Sequence, residues 1–251
     1  MNDRRKRSSK KVQVSEELIR LNRYIANSGV CSRRDADRLI AGGEISVNGK
    51  VVTDLGTKVS ARASVRYKGK LLNPEKKIYI LLNKPAGYVS TTEDPHAERL
   101  VTELIRNACT ERVYPVGRLD KDTTGLLLFT NDGELAKRLT HPSHMRKKIY
   151  HVYLNRPLTR SDMVKLTEGI DIGEEVVSVD AVAYPDPDDK TQAGIEIHTG
   201  QNRVVRRLFE AIGYRVKKLD RVYYAGLTKK NLPRGKWRFL SDKEVNILKR
   251  S

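Results

Sequence analysis

The sequence predicts an α+β chain in two parts, a small N-terminal module of two helices and a β-hairpin followed by a larger mixed domain with a substantial sheet. Three observations support this. The chain has 251 residues, and domains run to about 100–200, so one large unit and one small unit suit its length. Near the N-terminus, helical spacing of apolar residues gives way to an alternating stretch split by Asn48-Gly49. Beyond residue 76, short β-branched or Leu-rich runs alternate with helical stretches, the pattern of an α+β domain. Hydrophobic residues make up 38% of the chain and charged residues 32%, which separates it from a disordered composition.

Residues 1–16 read as a disordered basic arm, polar and without periodicity. The small module spans 17–72. Leu18, Leu21 and Ile25 recur at helical spacing, and Gly29 stands where a helix needs a left-handed stop. Ser32 precedes Asp35 by three residues, a variant of the N-terminal capping signature, and opens a second helix that carries Leu39 and Ile40 and runs to Gly42-Gly43. Ile45, Val47 and Val51 flank Asn48-Gly49, the strongest short-range signal for a two-residue hairpin turn. A polar link, Asn73 to Lys77, leads into the domain over 76–251. There "IYILLN", "GLLLFT", "YHVYL" and "AGIEIH" read as strands, and "ELAKRL" and "RRLFEAI" as helices. No internal repeat is visible.

Charge narrows the choice of partner. Lys and Arg number 49 against 31 Asp and Glu, a net charge of +18. Such a surplus suits a polyanion, because each cation that meets a phosphate releases a condensed counterion. No segment approaches the roughly 18 consecutive apolar residues of a spanning helix, and no amphipathic membrane-surface stretch stands out. Cys31 and Cys109 are far apart, which excludes a disulfide framework or a thiolate zinc site and suits a reducing cytoplasm. The basic start has no apolar segment behind it and does not read as a signal peptide.

Glycine spacing excludes the common nucleotide folds. No two glycines stand as G-x-G and no G-x-x-x-x-G-K-[ST] loop occurs, so no nucleotide or adenosylmethionine cofactor is expected. His141 and His144 flank Pro142 without a nearby cysteine, and no metal is expected. Residues 117–133, "GRLDKDTTGLLLFTNDG", are the informative stretch. A loop rich in Asp, Thr and Gly runs straight into Leu126 to Phe129, apolar on both faces and therefore a buried strand, and a turn then leads to a helix near Glu134. Asp120 thus sits at the mouth of a core strand, where catalytic groups are commonly presented. A plain turn cap is the alternative on these residues alone.

Two resemblances extend this reading. The segment "LNRYIANSGVCSRRDADRLIAGGEISVNGKVV" resembles the alpha-L RNA-binding module, over residues 18 to about 65. That resemblance implies that Arg33, Arg34, Arg38 and Lys50 face RNA phosphates; a solvated helix face is the plainer alternative. Residues 117–133 resemble the signature of pseudouridine synthases, in particular the branch that modifies ribosomal RNA and carries an alpha-L module in front. Three other segments agree in order: "YILLNKPAGYVS" at 79–90, "KKIYHV" at 147–152 and "TGQNRVVRRLFEAIGYRVKKLDRV" at 199–222. The resemblance implies a mainly antiparallel catalytic domain that isomerises a uridine in ribosomal RNA without a cofactor.

By that resemblance Asp120 is the essential carboxylate, Arg118 helps hold a flipped-out nucleotide, Tyr150 stacks on the uracil and Arg206 pairs with Asp120. Lys84, Lys148, Arg203 and Arg207 are expected to contact RNA. Each role is chemically sensible. A carboxylate beside the anomeric carbon can act as nucleophile or as base toward the neighbouring sugar position, and in a closing pocket it needs a cation beside it. Extruding the base costs a few kcal/mol that an aromatic platform partly returns. The chain departs from the family at Thr199-Gly200, where many members have Glu-Gly, and at Arg203-Val204, where they have His-Gln, which makes Arg207 a second candidate partner for Asp120. The basic stretch Lys229 to Trp237 is expected to add phosphate contacts. Large-subunit RNA is favoured over small-subunit RNA, a non-catalytic assembly factor on the same fold is the alternative, and a monomer is expected.

Overall fold

The computed structural model describes residues 18–250 apart from 93 and 174, and the basic arm expected over 1–16 lies outside the described residues. Contacts divide the chain into two compact units, Met1–Glu75 and Lys76–Ser251. The first holds β1 (Ile19–Arg20), α1 (Leu21–Asn27), α2 (Arg33–Ala41), β2 (Ile45–Val47), β3 (Lys50–Val51), β4 (Lys58–Val59), β5 (Val65–Tyr67) and β6 (Lys70–Leu71). Four strands pair in the order β3-β2-β5-β6, and β1 pairs with β4.

Local chemistry explains most of this unit. Leu21, Tyr24 and Ile25 of α1 close with Ala36 and Ile40 of α2 over Ile45, Val59 and Val65. The Ser32 hydroxyl accepts the Asp35 N–H at 3.2 Å and caps α2. Asn48 and Gly49 both take positive φ, 51° and 83°, as the two-residue turn between β2 and β3 requires. One expectation is corrected. Leu18 is not on the first helix, which begins at Leu21, because Ile19 and Arg20 pair in register with Val59 and Lys58; Leu18 itself is exposed.

The second unit runs β7 (Tyr79–Lys84), β8 (Tyr114–Pro115), β9 (Thr124–Thr130), α3 (Gly133–Thr140), β10 (Lys148–Leu154), α4 (Arg160–Glu168), β11 (Ile170–Asp171), β12 (Val176–Val177), β13 (Ala181–Ala183), β14 (Gln192–Ile197), α5 (Val204–Ala211), β15 (Val216–Tyr224), β16 (Leu227–Thr228), β17 (Trp237–Phe239) and α6 (Asp242–Arg250). Its main sheet has the order β13-β14-β10-β15-β9-β7-β17, with β16 on β15 and β8 on β9. Pairing is antiparallel except between β15 and β9, which run parallel. The chain is thus α+β with mainly antiparallel sheet, as the sequence implies. Strand β9 is apolar without alternation because both its faces are covered. Leu126 and Leu128 pack with α3 residues Leu135 and Leu139, while Leu127 and Phe129 pack with Val101, Ile105 and Leu119.

The parallel joint between β9 and β15 holds the two halves of the sheet together through only two register pairs, Asp220 with Thr124 and Arg221 with Gly125. Gly125 has φ +110°, and a Cβ there would lie 2.3 Å from the Arg221 carbonyl oxygen, so only glycine permits this approach. Beside it, the buried Asp220 carboxylate accepts the Thr124 hydroxyl at 2.9 Å and both Arg234 nitrogens at 2.9 and 3.0 Å. It also pairs with Lys229. Of the basic stretch Lys229 to Trp237, expected to add phosphate contacts, Lys229 and Arg234 are thus engaged by Asp220 within the fold.

Burial alone would raise the Asp220 carboxyl, but hydrogen bonds and charge from Arg234 and Lys229 outweigh it and bring the group from 3.8 down to about 2. A folded value below the unfolded one stabilises above pH 4, and that stability is lost as pH falls through 4 toward 2. The difference corresponds to about 2 kcal/mol. Chemical denaturation of the native protein should therefore show this loss between pH 4 and 2. Asp220→Asn should lack it and be less stable at pH 7; an unchanged acid profile in the variant would remove Asp220 from the joint.

Candidate active site

A cleft of about 750 Å³ opens on the second unit, with Arg118, Asp120, Lys148, Tyr150, Arg203 and Arg221 among its lining. Asp120 lies on the short loop between β8 and β9, and its side chain keeps 31% exposure, so the carboxylate can meet a ligand. The loop itself is tied down. Leu119 is buried in the core, and its backbone N–H and C=O both engage the Ser90 hydroxyl, at 3.2 and 2.7 Å. The Thr123 N–H closes a turn on the Asp120 carbonyl at 3.1 Å, and the Gly87 N–H donates to the Lys121 carbonyl at 2.7 Å.

Lys84 completes the cradle. It ends β7 fully buried and donates to the carbonyls of Thr123 at 2.7 Å, Asp120 at 3.0 Å, Pro85 at 3.2 Å and Lys121 at 3.3 Å. Burial lowers its ammonium to about 8, against the opposing charges of Asp122 and Asp120. The segment Lys84 to Ser90 and the segment Leu119 to Thr123 are thus one structural unit, although some thirty residues separate them in sequence.

Two arginines of the α5 region address the acidic loop. Arg203, at the N-cap of α5 with φ +51°, brings Nη1 to 3.7 Å from the Asp120 carboxylate. Arg206, one helical turn on and buried, pairs through Nη2 with Asp122 at 2.7 Å and donates through Nη1 to the Val216 carbonyl at 2.9 Å. Tyr150 lies on β10 opposite Ile195 of β14 and Arg221 of β15. It is half-buried against two core clusters and forms part of the cleft wall.

The family described as RNA pseudouridylate synthase matches residues 78–211, more than half of the chain. This chain belongs to that family. An S4 domain precedes it, matched over residues 19–65. The synthase is 42% identical over 235 residues to "Ribosomal large subunit pseudouridine synthase B" of Bacillus subtilis (strain 168), covering 92% of this chain and 96% of that protein. It is 37% identical over 235 residues to "Dual-specificity RNA pseudouridine synthase RluF" of Escherichia coli (strain K12), covering 92% and 79%. A crystal structure of a pseudouridylate synthase superposes with a TM-score of 0.64 at 27% identity, covering 92% of this synthase and 99% of that chain.

The structure brings Asp120, Tyr150, Arg118, Lys148 and Arg203 of the sequence-derived candidates to one cleft. Three expectations are corrected. Arg206 does not pair with Asp120; its guanidinium turns toward β15 and Asp122, and the cation within ion-pair distance of Asp120 is Arg203. Arg207 does not take that place either, since its Nη2 donates to the Ile172 carbonyl at 2.8 Å. Lys84 is no RNA contact, because it is buried and its donors are spent on loop carbonyls. On the first unit Arg33, Arg34, Arg38 and Lys50 are all exposed, with Arg38 ion-paired to Asp35 at 3.2 Å. Sequence reasoning missed Arg146 and Arg221, both in the cleft lining. Arg221 lies inside the third motif, and a charged residue within an otherwise strand-like run was the available signal.

The cradle makes a checkable demand on the synthase. Lys84→Met removes one donor each from the Asp120, Lys121 and Thr123 carbonyls, of which the first two keep a backbone N–H, and should destabilise the protein by about 2–4 kcal/mol. Turnover should fall with little change in RNA affinity. Urea denaturation and steady-state kinetics measure both, and wild-type stability in the variant would show that the loop is held by other contacts.

Proposed function

We propose that this synthase isomerises a uridine to pseudouridine in ribosomal RNA, large-subunit RNA being favoured, with Asp120 as the reacting carboxylate and without a cofactor. The observation that carries the reading is the Asp120 carboxylate on a tethered loop at the edge of the cleft, with a cation and a half-buried tyrosine in the same lining. The names of the relatives from Bacillus subtilis and Escherichia coli support RNA as substrate, and the first supports the large ribosomal subunit. The protein works as a monomer in the cytoplasm on this reading. No helix among the described residues is long and apolar enough to cross a membrane.

The chemistry follows from the arrangement. In one route the carboxylate attacks C1′ of the target sugar and the bond to N1 of uracil breaks with its electron pair on the base. The base then turns, C5 attacks C1′ and displaces the carboxylate, C5 loses its proton and N1 ends protonated. In the other route the same carboxylate takes a proton from C2′ and later returns it. Both balance without an outside atom or electron, both need an ionised carboxylate, and the Arg203 guanidinium stands 3.7 Å from it. Tyr150 offers a ring for the extruded uracil, and Arg118, exposed at the cleft edge, can occupy the space that the base leaves.

Tritium release from ribosomal RNA labelled at C5 of uracil tests the central role. Asp120→Asn should lower turnover by about 10³-fold or more while RNA affinity stays within about threefold. Retained turnover would remove Asp120 from the chemistry. For the S4 domain, replacing Arg33, Arg34 and Arg38 together by Gln should weaken RNA binding and reduce the slope of log K against log[salt] by up to about 0.7–0.9 for each lost phosphate contact. An unchanged slope would take that helix off the RNA.

A further inference from the structure

Within the cleft, three cations stand apart from the acidic loop. Arg146, Lys148 and Arg221 all line it, and among the described residues none of the three has a carboxylate within ion-pair distance. The acidic groups nearby are otherwise engaged: Asp120 faces Arg203, and Asp180 accepts His198 Nδ1 at 2.7 Å. Glu175 contributes to the cleft wall without pairing to any of the three.

Arg221 is the anchor of this group. Only 3% of it is exposed. Its Nε donates to the Leu126 carbonyl at 2.9 Å, and its guanidinium lies over the Tyr224 ring, 4.6 Å from the centroid. These contacts fix the group, yet its Nη2 is buried with no hydrogen-bond partner, as is Nε of Arg146. The register explains the placement. Tyr150 pairs with Arg221 and Ile149 with Tyr223, so Val222 is the extra residue of a β-bulge. The bulge turns Arg221 and Tyr224 to one face of β15, the face on which Tyr150 stands across the ladder. Lys148, two residues before Tyr150, shares that face by alternation, and its ammonium is held by the Arg146 and His198 carbonyls at 2.9 Å each. Burial, and then the charge of Arg221, lower the Lys148 ammonium to about 8, against the opposing charge of Asp180.

We infer that Arg146, Lys148 and Arg221 form a binding site for a phosphodiester of the RNA at the nucleotide that enters the cleft. This rests on the reading of the cleft as the uridine site. Water or a uracil carbonyl could pair with these two unpartnered N–H groups, but neither would offset the charge. A phosphate does both, and a guanidinium fork matches its oxygens. Because Arg221 stands opposite Tyr150, a base on the tyrosine ring and its own phosphate on the arginine would hold the sugar between them, where the Asp120 carboxylate is presented. The three residues then position the anomeric carbon by gripping the nucleotide at its charged end.

The test compares two probes on the full-length protein by titration calorimetry: uridine 3′,5′-bisphosphate, and uridine without phosphate. The bisphosphate should bind at least about tenfold more tightly. Arg146→Gln and Arg221→Gln should each shrink that ratio toward one while uridine affinity changes little, and Arg221→Lys should recover part of it. Equal binding of the two probes by the native protein, or a ratio unaltered in both Gln variants, would overturn the inference. Should Arg221→Gln fail to fold, as its melt would show, the half-buried Arg146 decides the matter through Arg146→Gln. The outcome separates from that of the Asp120 reading. Asp120→Asn should keep the preference for the bisphosphate, so retained turnover in that variant would strike the carboxylate's role and leave the phosphate site standing.

Discussion

One buried ammonium sets the position of the Asp120 carboxylate. A lysine wholly removed from water is tolerable only if its donors are filled, and the carbonyls of a tight loop are tolerable only if something donates to them. Lys84 and the loop from Asp120 to Thr123 solve each other's problem, with four carbonyls within 3.3 Å of one nitrogen. Ser90 and Gly87 hold the same loop from neighbouring positions. A short loop pinned this densely gives Asp120 a defined direction, which a surface turn would not.

The second constraint is the narrow joint between β9 and β15. Gly125 lets the backbones approach, and Asp220 gathers Thr124, Lys229 and Arg234 around the seam. On one side of that seam is the acidic loop; on the other, the adjacent residue Arg221 projects into the cleft. Neighbouring residues of one strand thus differ in what surrounds them: Asp220 neutralises cations inside the fold, while Arg221 keeps a buried Nη2 without a hydrogen-bond partner.

Much of the architecture was legible from local pattern. The capped helix at Ser32, the Asn48-Gly49 turn and the doubly buried strand from Leu126 to Phe129 depend on near neighbours in sequence, and the structure places them where the pattern did. The start of the first helix was not legible, because Leu18 fits helical spacing while Ile19 and Arg20 are claimed by a strand some forty residues away. Lys84 looked like an RNA contact for a similar reason. In sequence it is a basic residue beside a turn, and only the return of residues 120 to 123 shows that its charge is spent internally.

The sequence alone determined the capped second helix, the Asn48-Gly49 turn, the excess of positive charge and the loop that carries Asp120 ahead of a buried strand, since periodicity, turn chemistry and composition are properties of adjacent residues. Tertiary structure decided which cation meets which anion. Arg203, Arg206 and Arg207 are near-equivalent as letters, yet a left-handed N-cap aims the first at Asp120, and the packing of α5 on β15 sends the second to Asp122. Side-chain direction depends on the backbone angle at the helix start and on what packs against its inner face, and neither is written in the residues themselves.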